Sequence, residues 1–351
     1  MKLVSFLTLA GLVALAGCSK PTGSAGASGG KQKLHVYTWA DYFKPELLKQ
    51  FESANNCEVV IDTFDSNEAM LAKVQAGATG YDLITPTSYT AKAMKREGLL
   101  QPIDHAQVPN IAHVDPEHLA TALDPKMEIS VPYMVGTTVI AYRKDKVNPP
   151  PKDWNVMAEP TYKGRMTLFD DMREVIGAAL KQLGYSLNTK DEAQLQQAKE
   201  LILKWKPNLA KFDSEQYKSG VESGEFLVAM GYSGDILQVM EDSKNVDLVV
   251  PSIGVARSCD DFVIPKSAPD AALAHKFINF FCDPKVAAEN TEFLGFLSPN
   301  KDAYALLSDE TKANPAIMPP EEIRKKCEFI DDLGADIAKY QKIWDEIKGG
   351  E

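Results

Sequence analysis

Arg165-Met166-Thr167-Leu168-Phe169-Asp170-Asp171-Met172-Arg173-Glu174-Val175-Ile176-Gly177-Ala178-Ala179-Leu180 joins a strand to a helix. Residues through Phe169 read as a short buried strand, and the apolar spacing from Val175 onward fits a helix. Acidic side chains fill the junction, at the place where strands of an open α/β sheet end and such folds bind ligands. The same spacing also serves a plainer purpose. Asp171-x-x-Glu174 matches a capping box, with Asp171 as the N-cap and Glu174 at N3. The two uses are compatible, because a cap occupies only some of the carboxylate lone pairs.

Working outward, strand and helix alternate on both sides of this junction. Upstream, strands are expected at 33–37, 57–61 and 82–84, with helices at 45–55, at 67–75 and through 94–97. Three such alternations in about sixty-five residues argue for a mostly parallel sheet with right-handed crossovers. Residues 129–133 and 138–142 are strand-like with Gly136 between them, and read as two strands forming the first crossing from one lobe to another. Asn148-Pro149-Pro150-Pro151 stiffens a surface turn. Downstream, Thr189-x-x-Glu192 is a second capping-box match, opening a helix that ends before Pro207. Strands are expected at 226–230 and 246–250, and 261–265 reads as the return to the first lobe. Helices follow at 269–281 and 284–292, and a final amphipathic one runs through Ile337, Tyr340, Ile343, Trp344 and Ile347.

The 351 residues, 44% hydrophobic and 25% charged, exceed one typical core, so two lobes are expected. Lys2, an apolar run over 3–15 and small residues before Cys18 read as a secretory signal, 1–17, to be excluded from the fold. Leu15-Ala16-Gly17-Cys18 resembles the lipobox of bacterial lipoproteins, whose cysteine is diacylated. Residues 18–30 then form a lipidated Cys18 and a flexible Gly/Ser/Ala tether. No other stretch is apolar enough to span a membrane, so contact with it is expected through the anchor alone. A net charge of −11 argues against nucleic acid and is compatible with a cationic ligand. Beyond Cys18, the cysteines Cys57, Cys259, Cys282 and Cys327 admit three full pairings in an oxidising compartment, or four buried thiols.

Catalytic motifs are missing from the sequence: there is no G-x-S-x-G elbow, phosphate-cradling loop or H-E-x-x-H. His113 and His118, five apart, do not share a helical face and make a poor metal pair. Trp39 and Tyr42, Thr87 and Tyr89, Asp171 and Glu174, and Tyr232 all follow expected strands. Facing lobes would bring them into an acidic cleft walled by aromatic rings. Ring faces attract cations and pack methylene stems, while carboxylates must pair any buried ammonium.

Four blocks resemble one family. They are Tyr37-Thr38-Trp39-Ala40-Asp41-Tyr42, Tyr81-Asp82-Leu83-Ile84-Thr85-Pro86-Thr87-Ser88-Tyr89, Asp170-Asp171-Met172-Arg173-Glu174 and Gly295-Phe296-Leu297-Ser298-Pro299-Asn300. Together they are similar to the bacterial spermidine/putrescine-binding proteins, the receptors of polyamine ABC importers. The resemblance implies a two-lobed α/β periplasmic binding fold, hinge-closing and type II-like, each lobe a mostly parallel sheet flanked by helices. It also implies a receptor rather than an enzyme, a monomer with no cofactor and no metal, working with an inner-membrane ABC permease. Its place would be the periplasm or the outer face of the cytoplasmic membrane, anchored through Cys18. Lobe 1 is expected over 31–137 plus 260–305, and lobe 2 over 138–259 plus 306–351. Carried over, the resemblance puts Trp39, Tyr42, Tyr89 and Tyr232 on the methylene chain, Thr87 on the cleft wall, and Asp171, Glu174 and Asp260 on amino groups. Ser88, Arg257 and Phe296 are further candidates, Arg257 as a cation placed to pair Asp260. Ser258, Ala40, Ile330 and Phe296 depart from the residues usual in relatives and bear on which polyamine is preferred. The alternative within the fold is a receptor for another cationic solute or ferric iron.

Overall fold

The computed structural model describes residues 31–349, so the expected signal, the lipidated Cys18 and the tether lie outside the described residues. The chain opens as β1 (Gln32–Thr38), α1 (Pro45–Asn55), β2 (Cys57–Thr63), α2 (Asn67–Gln75), β3 (Leu83–Ile84) and α3 (Ser88–Arg96). Pro45 starts α1 where its missing N–H is harmless, and Ser66 caps α2 by accepting the Ala69 N–H at 3.3 Å. A short helix, α4 (Pro116–Leu119), precedes the long strand β4 (Ser130–Arg143). Then come β5 (Met166–Leu168), α5 (Met172–Gln182), α6 (Glu192–Trp205), β6 (Leu209–Phe212), α7 (Tyr217–Ser223), β7 (Val228–Tyr232), α8 (Ser233–Asp242), β8 (Val246–Val249) and β9 (Ala256–Val263). Helices Ala271–Phe281 and Pro284–Leu294, the short strand β10 (Glu328–Phe329) and the last helix, Ile337–Gly349, complete the main elements.

The strands order as β2-β1-β3-β9-β4-β7-β5-β6, with β10 on β9 and β8 on β4. β1, β2 and β3 run parallel, as do β5, β6 and β7, which is the crossover arrangement the alternating sequence implies. The long strands β4 and β9 run antiparallel to their main neighbours. β4 ties the molecule together. Its first half pairs β9, from Ser130 opposite Val263 to Thr137 opposite Arg257. Its second half pairs β7 and β8 through residues 138–143. Thirteen of its fourteen residues are buried, as expected of a strand covered on both faces. Apolar side chains accordingly gather into two large cores, one around Leu34, Phe51, Phe262 and Phe277, the other around Leu168, Val175, Trp205 and Tyr340. This is a two-lobed α/β fold.

Several expected boundaries are corrected. Residues 129–133 and 138–142 are parts of one strand, because Gly136 does not break it. A Cβ there would stand 3.3 Å from the Ser258 hydroxyl and 3.4 Å from the Phe296 ring, so glycine serves close approach, not a turn. β9 begins at Ala256, which puts Asp260 within the strand instead of ahead of it. The second capping box is off by two. Asp191 caps α6 by accepting from Ala193 and Gln194, while the Thr189 hydroxyl takes the Asp191 N–H. Cys259, Cys282 and Cys327 are free thiols. Burial pushes Cys282 up to about 12, which leaves it inert.

The first turn of α8 packs end-on against the helix ending at Leu294. A Cβ on Gly234 would lie 2.4 Å from the Leu294 carbonyl oxygen and 2.6 Å from the Phe296 ring. Neither backbone can yield. Gly234→Ala is therefore expected to destabilise the protein by roughly 1–3 kcal/mol, read as a lowered denaturation midpoint; an unchanged midpoint would show that this contact is loose.

Candidate ligand-binding site

β5 ends at Leu168, and Phe169 is fully buried, with its ring stacked on Tyr232 at 4.5 Å. The chain then turns into α5. Asp171 is extended (φ −135°) and caps the helix, its Oδ1 accepting the N–H groups of Arg173 at 2.8 Å and Glu174 at 3.0 Å. The box is only half made. Glu174 does not reach back to the cap; its Oε2 accepts instead from the Thr138 hydroxyl of β4 at 2.7 Å. Asp171 and Glu174 both line the cleft, although Glu174 is only 2% exposed. Arg173 offers them no ion pair. It is buried between the rings of Tyr89 and Tyr340 and donates to the Asp331 carbonyl and Asn188 Oδ1.

On the other lobe, Asp41 adopts a left-handed conformation (φ 54°) that an aspartate tolerates, between Ala40 and Tyr42. That turn lets both Trp39 and Tyr42 reach the cleft. Trp39 stands edge-on to Phe64 at 4.4 Å, with a buried Nε1–H that meets no acceptor. Tyr42 donates to Asp260 Oδ2 at 2.5 Å, and the Thr87 hydroxyl donates to Asp260 Oδ1 at 2.8 Å. Asn67, the first residue of α2, holds this edge: its Oδ1 accepts the Thr87 N–H, and its Nδ2 donates to the Thr87 and Tyr89 hydroxyls.

Between these walls lies a cleft of about 900 Å³. Of the residues singled out from sequence, Trp39, Tyr42 and Thr87 line it from one side and Asp171, Glu174 and Tyr232 from the other. Asp260 and Phe296 form its floor together with Gly136, Ser258 and Ile330. Three candidates lie elsewhere. Tyr89 is set back behind the wall, bonded to Asn67. Ser88 turns to the rear, donating to Asp261 and the Cys259 carbonyl. Arg257 lies on the opposite face of β9 from Ser258 and Asp260, stacked on Phe329 at 5.0 Å, so it does not pair Asp260. Sequence reading missed Asn67 and Glu68, whose only visible signal was the start of an ordinary helix. It also missed Lys211 and Lys218, which are committed to Asp213 at 2.6 Å and Asp235 at 3.7 Å.

Electrostatics follow from burial. Desolvation, and then the neighbouring Asp171, push Glu174 up to about 8, against the Thr138 hydrogen bond. Desolvation pushes Asp260 up to about 7, against its two hydroxyl donors. Burial also raises Asp171, opposed by the two amides it caps. Among the described residues no group of three His, Cys, Asp or Glu side chains is placed to hold a metal. What such a cleft does chemically is supply negative charge and ring faces to a ligand that brings its own cations.

A two-lobed α/β body with an open, charged interlobe cleft is the architecture of a solute receptor. Over residues 46–320 the chain matches the bacterial extracellular solute-binding proteins, and it belongs to that family. It is 34% identical to the spermidine/putrescine-binding periplasmic protein of Escherichia coli, over 93% of this chain and 94% of that one. It is 36% identical to the putrescine-binding periplasmic protein SpuD of Pseudomonas aeruginosa, over 98% of this chain and 97% of that one. Among solved structures it is similar to a spermidine/putrescine ABC transporter protein from Listeria monocytogenes (TM-score 0.84, 34% identity, 92% of this chain and all of that one). It is also similar to the TpPotD lipoprotein of Treponema pallidum (TM-score 0.82, 37% identity, 90% of this chain and 99% of that one).

The raised carboxyls have a consequence for stability. Between the unfolded value of 4.5 and about 8, folded Glu174 keeps a proton that the unfolded chain releases. Stability of the ligand-free protein therefore falls as pH rises through that window, by up to about 1 kcal/mol per unit. Asp171, Arg173, Thr138 and Tyr232 face Glu174 and set this value. Denaturation midpoints at pH 5 to 8 should decline more steeply in wild type than in Glu174→Gln; parallel curves would contradict the assignment.

Proposed function

We propose that the protein captures a polyamine, spermidine and/or putrescine, between its lobes and delivers it to an ABC permease. The observation that carries this reading is the pair of carboxylates lining the cleft, half-buried Asp171 and buried Glu174, which among the described residues form no ion pair. A buried carboxylate needs a partner, and a primary ammonium is the simplest one. Asp260 repeats the arrangement on the other lobe, held by Tyr42 and Thr87. Two acidic ends joined by a wall of Trp39, Tyr42 and Tyr232 suit a chain of methylenes with an amine at each end. The names of the relatives agree: those from Escherichia coli and Pseudomonas aeruginosa bind spermidine or putrescine.

The roles divide accordingly. Asp171 and Glu174 take one ammonium and Asp260 another, while Trp39, Tyr42, Tyr232 and Phe296 pack the stem. Lobe 1 comprises 31–137 plus 260–305, lobe 2 comprises 138–259 plus 306–351, and they close by bending where β4 and β9 pass between them. Closure dehydrates the ligand and presents one surface to the permease. Ser258 and Ile330 line the floor without offering a ring or an amide, which favours putrescine over a longer amine needing a third polar partner. The body works as a monomer in the periplasm or at the outer face of the cytoplasmic membrane, held by a diacylated Cys18. The related Treponema pallidum protein is a lipoprotein.

Titration calorimetry with putrescine, spermidine, spermine and basic amino acids tests the ligand class. Asp171→Ala and Glu174→Ala are each expected to weaken polyamine binding by about 2–5 kcal/mol, because each strands a buried ammonium. Unchanged affinity in both would reduce the pair to a helix cap. Cys18→Ala is expected to move the protein from the membrane fraction to the soluble extracytoplasmic fraction; retention at the membrane would refute the anchor.

A further inference from the structure

A third carboxylate reaches the same end of the cleft from the opposite lobe. Glu68 is the second residue of α2, whose buried Met70 and Val74 pack in the first lobe against Tyr37, Phe64 and Tyr81. Its side chain lies on the cleft wall and, among the described residues, has no ion-pair partner. Asp171 caps α5, whose Val175 and Ile176 belong to the second core. Glu68 is exposed on that wall, yet the two carboxylates feel each other: partial desolvation, and then Asp171, raise Glu68 above its usual range, with Arg173 opposing. The position of Glu68 is fixed by its neighbour, since Asn67 grips Thr87, and Thr87 in turn holds Asp260.

Independently, Glu174 is 2% exposed, lines the same cleft, and has one hydroxyl donor and, among the described residues, no ion pair. The nearby Arg173 is spent on Asp331 and Asn188. Three carboxylates from two lobes therefore line the same cleft, and Arg173, which acts on all three, forms an ion pair with none of them among the described residues. Like charges at this range oppose approach of the walls that carry them, and one cation between them reverses the sign.

We propose that Glu68 is a specificity-determining residue of the site, completing with Asp171 and Glu174 a three-carboxylate seat in which the ligand's ammonium bridges the two lobes. The proposal rests on the polyamine reading for the ligand's identity. Occupancy of this seat, rather than stacking on the rings, is then what draws α2 toward α5.

Two substitutions in the full-length protein test this. Glu68→Gln keeps the shape and removes one charge, and is expected to weaken putrescine binding tenfold or more by calorimetry. Glu68→Lys supplies a tethered ammonium. It is expected to raise the melting temperature of the ligand-free protein and to abolish the further rise that putrescine gives wild type. Wild-type putrescine affinity in Glu68→Gln, or a normal putrescine response in Glu68→Lys, would overturn the proposal while leaving the polyamine reading intact. Wild type indifferent to every polyamine, with Glu68→Lys still stabilised, would support the bridging seat and sink the polyamine reading instead.

Discussion

A carboxylate cannot be taken out of water without a proton or a cation, and this molecule withholds the cation. Glu174 is buried beside Asp171, Asp260 is half-buried across the cleft, and the basic side chains within reach are engaged elsewhere. Arg173 illustrates the point. It is adjacent in sequence to both the cap and the acid at N3, yet its guanidinium is directed to a backbone carbonyl and an asparagine between two tyrosine rings. A structural protein would have satisfied these groups internally, since unpaired buried charge opposes folding. Leaving them unsatisfied makes sense where a solute completes them.

The geometry that holds such a site open is a matter of strands. β4 is hydrogen-bonded to β9 over its first half and to β7 and β8 over its second. One continuous strand thus fixes Thr138, the partner of Glu174, relative to Gly136 on the cleft floor. Gly136 leaves room there for Ser258 and Phe296. Gly136 and Asp260 hang from β4 and β9, while Trp39, Thr87, Asp171 and Tyr232 stand at the ends of β1, β3, β5 and β7.

Much of this was legible in the sequence. The helices at 45–55 and 67–75 stand where the apolar spacing put them, and the acids at the α5 junction occupy a strand end as the crossover logic requires. What failed did so for definite reasons. Gly136 looked like a break, because sequence shows a missing side chain but not the Ser258 and Phe296 atoms that demand it. Ser88 and Tyr89 fall on the first turn of α3, which sends one to Asp261 and the other to Asn67, and Arg257 takes the face of β9 away from Asp260, none of which nearness to a strand end discloses. Register decides that, and one residue reverses it. Asn67 and Glu68 passed unnoticed since a helix start gives no hint of what it faces. β10, two residues long, carries no periodic signal at all.

The central claim is that ligand charge replaces protons on buried carboxyls. Calorimetry of putrescine binding at pH 7, repeated in buffers of different ionisation enthalpy, measures the protons exchanged per ligand bound. With Glu174 at about 8 and Asp260 at about 7 before binding, the account predicts net release of ~1 proton per putrescine. A binding enthalpy independent of the buffer, or proton uptake, would contradict it.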